Sequence, residues 1–102
     1  MKELNEDIEF YNKLMEDFKN LDSSDYSTAY VLSQEALITA ERWNEIMLNS
    51  AKYCKEMEVT KSEFTNYCYQ KYKMLMKAHD FSRMVYRQGS YGITNSFYNE
   101  EV

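Results

Sequence analysis

The groups that could do chemistry in this 102-residue chain are few. They are one histidine, His79, followed directly by Asp80; two thiols, Cys54 and Cys68; and carboxylates recurring through residues 3–17. Neighbouring positions on a helix point about 100° apart, so His79 and Asp80 do not form a ready acid–base dyad. A metal site needs three or four ligands. No HExxH, CxxC, ExxH or glycine-rich phosphate loop occurs in the chain. The thiols fall on apolar stripes, where cysteine behaves as a small hydrophobe, and they read as reduced core residues of a cytoplasmic protein rather than a disulfide. Carboxylates on one exposed helix have no dry pocket to shift their pKa values. The expectation is a non-enzyme with neither metal nor cofactor.

Binding chemistry is better represented. Tyr72, Met76, His79, Arg83 and Tyr86 follow at spacings of four, three, four and three, with Lys73, Lys77 and Arg87 beside them. Rings stack on bases and cations track phosphates, so this stripe could take single-stranded nucleic acid. The plainer account is that its apolar members pack internally and its cations are solvated. An acidic chain with a pI near 4.9 is also unusual for a nucleic-acid binder.

A second surface is acidic: Glu3, Glu6, Asp7, Glu9, Glu16 and Asp17, interrupted by Lys13 and Lys19. Carboxylates spaced along a helix can imitate phosphates and compete for a basic channel on another protein; an ordinary solvated face is the alternative. A third surface is the aromatic tail, where Phe97 and Tyr98 could anchor a partner or cap the end of the bundle.

The elements that must position these groups are helices. The chain has no proline, and its two glycines, Gly89 and Gly92, both fall late. Strand-rich folds need turn residues every 8–12 positions or so, and none are present here. Leu4, Ile8, Tyr11, Met15 and Phe18 form a helical stripe, widened by Phe10, Leu14 and Leu21, and predict helix 1 at about 3–20. Asp22-Ser23-Ser24-Asp25 supplies N-cap candidates.

Helix 2 is predicted over about 25–57. Its inner stripe reads Tyr26, Ala29, Tyr30, Ser33, Ala36, Leu37, Ala40, Trp43, Met47, Ala51, Cys54 and Met57, with Val31, Ile38, Ile46 and Leu48 off it. The small residues among them invite close approach by another helix. Thr60-Lys61-Ser62-Glu63 is a capping box that opens helix 3 at about 61–88. Its stripe, Phe64, Tyr67, Cys68, Met74, Leu75, Ala78, Phe81 and Val85, is interrupted by Lys71 and Ser82, and Gly89 is expected to stop it as a left-handed cap. Residues 90–102 read as an irregular polar and aromatic tail.

The fold class is therefore all-α: an elongated three-helix bundle built on a long antiparallel helical hairpin, with a single domain over 1–89. At 1.5 Å per residue, helix 2 would be about 50 Å long and helix 1 only about 27 Å. Helix 1 cannot cover the hairpin's apolar flank, so either helix 2 folds back or a second copy covers the remainder. A symmetric homodimer is the favoured expectation.

Charge is uneven along the chain. The net is −5 over residues 1–25, −2 over 26–60, +4 over 61–90 and −2 in the tail. Either acidic helix 1 lies beside basic helix 3, or these surfaces face partners. No run of 18 apolar residues occurs, and the polar, acidic start does not read as a secretory leader. Tyr, Asn, Lys, Met and Phe are abundant, a mix that AT-rich codons favour and that is common in phages of AT-rich bacteria.

The reading is a protein-binding inhibitor or adaptor. Its specific form is a phage-encoded antagonist of a host nucleic-acid-processing or defence machine such as a CRISPR effector. The alternatives are a nucleic-acid-binding mediator acting through helix 3 and a structural assembly subunit.

Overall fold

The computed structural model describes the backbone of residues 2–101 and the side chains of residues 4–88. Four helices follow in order: α1 (Lys2–Lys19), α2 (Tyr26–Leu48), α3 (Ser50–Met57) and α4 (Lys61–Glu101). No strand occurs among the described residues.

Local chemistry sets most boundaries. Asp25 caps α2, its side chain accepting the Thr28 N–H at 3.1 Å. Asp22 folds the preceding loop by accepting both the N–H and the hydroxyl of Ser24, which hold its carboxyl below the usual range. The Thr60 capping box forms as expected: Thr60 Oγ1 accepts the Glu63 N–H at 3.1 Å, and Glu63 Oε1 accepts from the Thr60 N–H and hydroxyl. Just before it, Glu58 adopts the left-handed conformation (φ 56°) and ends α3 without a glycine.

Two helix boundaries differ from the sequence reading. The helix expected over 25–57 is broken at Asn49 into α2 and α3. The Asn49 amide donates to the Glu45 carbonyl at 2.9 Å, and its backbone N–H is shared between the Glu45 and Ile46 carbonyls. A short amide side chain competing for backbone partners in this way interrupts a helical ladder. Gly89 does not stop the last helix, whose bounds are Lys61–Glu101. A glycine inside a helix costs about 1 kcal/mol relative to alanine, which a long helix can absorb.

α2 and α4 are antiparallel. As numbers rise along α2 they fall along α4, through Tyr30–Tyr86, Ser33–His79 and Trp43–Tyr67, and the pairing continues on α3 with Tyr53–Phe64. Ala29, Ser33, Ala36 and Ala40 are all buried, so the strip of small residues does admit the facing helix closely. α1 returns antiparallel to α2. Asp7 meets Arg42, while Leu14 and Asp17, further along α1, share a hollow with Glu35, earlier on α2. The molecule is a long hairpin with a shorter third helix, 55 × 26 × 15 Å. Its radius of gyration is 16.8 Å, against about 13 Å for a compact chain of this length.

The core joins Leu4, Leu14 and Phe18 of α1 to Leu32, Trp43 and Ile46 of α2 and to Phe64, Cys68 and Leu75 of α4. Each fully buried large side chain contributes about 1.5–3 kcal/mol. Ile46, expected off the inner stripe, is buried because α1 lies over that flank. Tyr26, Met74 and Phe81, expected inside, are exposed.

Candidate protein-binding surfaces

α1 divides the hairpin into a covered side and an uncovered side. Positions 35, 39 and 42 of α2 face α1, while positions 30 and 33 lie on the opposite flank. On that opposite flank α2 contributes Tyr30 and Ser33, and α4 contributes His79 and Tyr86. His79 Nδ1 lies 2.9 Å from both the carbonyl and the hydroxyl oxygen of Ser33. A carbonyl can only accept, so Nδ1 carries the proton and donates. Beside this pair, the Tyr30 and Tyr86 rings meet edge to face at 5.2 Å.

Ser33 and His79 are 46 residues apart, and no pattern in the chain announces them as partners. A serine beside a histidine could suggest a nucleophile. Here the hydroxyl is fully buried, and the imidazole nitrogen that meets it is committed to the same residue's carbonyl. The geometry pins α4 to α2 and does not deliver an activated hydroxyl to a substrate.

The stripe expected to take nucleic acid is thus split. His79 and Tyr86 are half-buried and engaged with α2, and Met76 packs against the core. Tyr72, Lys73, Lys77 and Arg83 are exposed, Arg87 is half-buried, and Lys73 reaches over the Tyr69 ring at 5.8 Å.

On the covered side, Lys71 sits where the sequence showed an interruption of an apolar stripe. Its ammonium lies 4.1 Å from the Tyr11 ring centroid, 4.6 Å from Tyr67 and 5.5 Å from Trp43. One wall comes from each of α1, α4 and α2, a cation–π box. Burial pushes the Lys71 pKa down and those of Tyr11 and Tyr67 up. Trp43 Nε1, in the same box, is buried with no hydrogen-bond partner. Nearby Cys68 is a free thiol whose pKa burial pushes up to about 11, far from the reactive range.

The acidic surface lies on the outer side of α1. Glu6, Glu9, Glu16 and Asp17 are exposed; Glu3 lies outside the residues whose side chains are described, as do Phe97 and Tyr98. Asp7 is half-buried and binds Arg42 in a two-pronged pair, with Oδ1 accepting from Nε at 3.2 Å and Oδ2 from Nη2 at 3.0 Å. Among the described residues no ion pair joins α1 to α4.

Between α1 and α2 opens a cleft of about 340 Å³ lined by Asp7, Phe10, Glu35, Ile38, Thr39 and Arg42. A smaller hollow of about 140 Å³ adjoins it, sharing Phe10 and Glu35 and reaching Leu14 and Asp17. Phe10, Val31 and Ile38 are 52%, 53% and 66% exposed. Val31 and Ile38 are seven positions apart, two turns along one flank of α2. The sequence did place Val31 and Ile38 off the inner stripe, but it gave Phe10 to the core.

Among the described residues no three histidine, cysteine or acidic side chains are grouped to hold a metal ion, and no helix is long and apolar enough to cross a membrane. No protein-family model, no curated protein and no solved structure matches this chain.

Proposed function

We propose that this chain is a non-enzymatic protein-binding module, an inhibitor or adaptor that presents the outer face of α1 and α2 to its partner. The observation that carries the reading is the pair of exposed apolar side chains Phe10 and Ile38 on a cleft that Asp7, Glu35 and Arg42 also line, with Val31 exposed two turns from Ile38 on α2. Scattered exposed apolar residues are ordinary, but a contiguous group with a charged rim has the anatomy of an interface centre. An acidic helix beside that centre suits a basic channel that otherwise holds nucleic acid. A phage-encoded antagonist of a host nucleic-acid-processing or defence complex, acting in the host cytoplasm, is the specific form of the proposal. An anti-CRISPR-like role would be one instance.

Crosslinking and mass spectrometry in host lysate test it, comparing the wild-type chain with a Phe10→Asp, Ile38→Asp double variant. The proposal expects a defined protein captured by the wild type and lost from the variant. An identical crosslink profile for both would sink it.

A second reading places single-stranded nucleic acid on α4. It is favoured by the exposed cations Lys77 and Arg83, which have no ion-pair partner among the described residues. Against it, His79 and Tyr86 are already engaged with α2. Oligonucleotide binding at low salt, lost in a Lys73→Glu, Lys77→Glu, Arg83→Glu variant, would move the reading there.

A further inference from the structure

We infer that the α1–α2 cleft seats one bulky apolar side chain carried on a basic helix of the partner. The inference rests on the protein-binding reading and names the chemistry that reading leaves open. Size comes first. At about 340 Å³ the cleft is at the small end of ligand sites, suited to an anchor of one or two side chains rather than an extended ligand.

Its walls are Phe10 and Ile38, both exposed, so an entering aliphatic or aromatic group removes apolar surface on both sides of the cleft from water. The floor and ends are polar. Thr39 lies buried between the helices, and the Asp7–Arg42 pair closes one end.

Charge chooses the carrier. Arg42 is already held by Asp7, with Glu45 a further 3.8 Å contact, so it offers no free cation to an acidic partner. Glu35, in both hollows, and Asp17, at the far end of the smaller one, have no ion-pair partner among the described residues. Among the described residues Lys13 is the cation, besides Arg42, that lines them.

Asp7 is balanced by Arg42, so the carboxylates left to a partner cation are Glu35 and, along α1 in the smaller hollow, Asp17. On a helix, a cation three or four positions from the anchor lies about 4.5–6 Å from it along the axis, and the length of an arginine side chain extends that reach. An anchor residue with such a flanking arginine therefore meets the apolar walls and, beside them, the carboxylates of Glu35 and Asp17. A helix with flanking glutamates would meet like charge.

The test uses the full chain and three fluorescein-labelled helical peptides. One carries a single leucine flanked by arginines at three and four positions on each side. The second replaces the arginines with glutamates, and the third replaces the leucine with alanine. Binding is followed by fluorescence anisotropy and by the Ile38 methyl resonance. The leucine–arginine peptide should bind at least tenfold more tightly than either twin and shift the Ile38 signal. Ile38→Asp should abolish the difference, with Phe10→Ser as a second variant in case the first perturbs folding, which circular dichroism reports. Glu35→Gln should weaken the arginine preference severalfold.

Equal binding of the arginine and glutamate peptides would overturn the charge argument. Failure of the leucine–arginine peptide to bind or to move Ile38 would overturn the site. A dimer in sedimentation that Ile38→Asp dissociates would show that a second copy is the occupant instead. None of these results touches the lysate crosslinking, so the protein-binding reading stands or falls separately.

Discussion

The two sides of the α2–α4 hairpin solve opposite problems. On the uncovered side, polar groups pair within the hairpin: Ser33 and His79 satisfy one another, and Tyr30 braces Tyr86. On the covered side α1 lies over a lysine ammonium surrounded by three rings and over an indole N–H; among the described residues the first has no carboxylate partner and the second no acceptor. Cation–π attraction offsets part of that cost, about 0.5–2 kcal/mol per well-placed ring. An unsatisfied buried donor costs about 1–3 kcal/mol. The apolar residues of α1 must outweigh these terms, so Leu4, Leu14 and Phe18 hold α1 in place, with the Asp7–Arg42 pair adding to them. The difference teaches that one hairpin can be held by two kinds of chemistry, paired polar groups on one flank and apolar burial on the other. The apolar residues left for a partner lie on the outer faces.

The contrast can be broken at its shared centre first. Trp43 is fully buried and touches rings from both α1 and α4. Trp43→Ala should cost about 3–5 kcal/mol and collapse both sides together, read by chemical denaturation. Loss of α1 protection alone in hydrogen exchange would instead mean that the two sides are energetically independent.

A smaller effect is expected from the uncovered side. His79→Ala removes the donor to Ser33 and should cost about 1–2 kcal/mol, with α1 protection unchanged. A loss spreading to α1 would contradict the division drawn above.

The smallest effect tests the lysine box. Lys71→Met keeps the stem and deletes the charge. Because burial lowers the Lys71 pKa in the folded chain, the charged form is disfavoured there relative to the unfolded chain. That penalty is present below the folded pKa and is relieved as pH rises through it towards the ordinary value of 10.5. Lys71→Met should therefore raise Tm by a few degrees at pH 7, roughly what 0.5–1 kcal/mol produces in a domain of this size. The gap should narrow at alkaline pH. A fall in Tm would show that ring–cation attraction exceeds the desolvation cost.

Local features were legible in the chain because they need only neighbours. The Thr60–Glu63 box involves residues three apart, whose geometry one helical turn dictates, whereas Asp25, expected in the first turn of helix 2 after a segment of cap candidates, is the cap itself. The small-residue strip of α2 was readable for the same reason, as spacing along one helix. Gly89 was misread because a glycine permits a left-handed cap without requiring one. Phe10 and Ile46 exchanged places with expectation: the apolar spread on each helix is wide, and which edge is buried depends on where the neighbouring helix lies. Lys71 did leave a trace, a cation interrupting an apolar stripe four residues after Tyr67, but two of its three rings come from other helices.

Helical periodicity, the scarcity of glycine and the absence of proline were enough to determine an all-α hairpin with a third helix, because these act within a turn or two of backbone. The partners of Ser33, Asp7 and Lys71 were decided only when the helices met. Those contacts join residues 28–60 positions apart. Their formation depends on helix rotation and crossing, which the burial of the whole core selects and no single stripe specifies. The cleft between Phe10 and Ile38 has the same origin: each residue belongs to its own helix, and the space between them belongs to the packing.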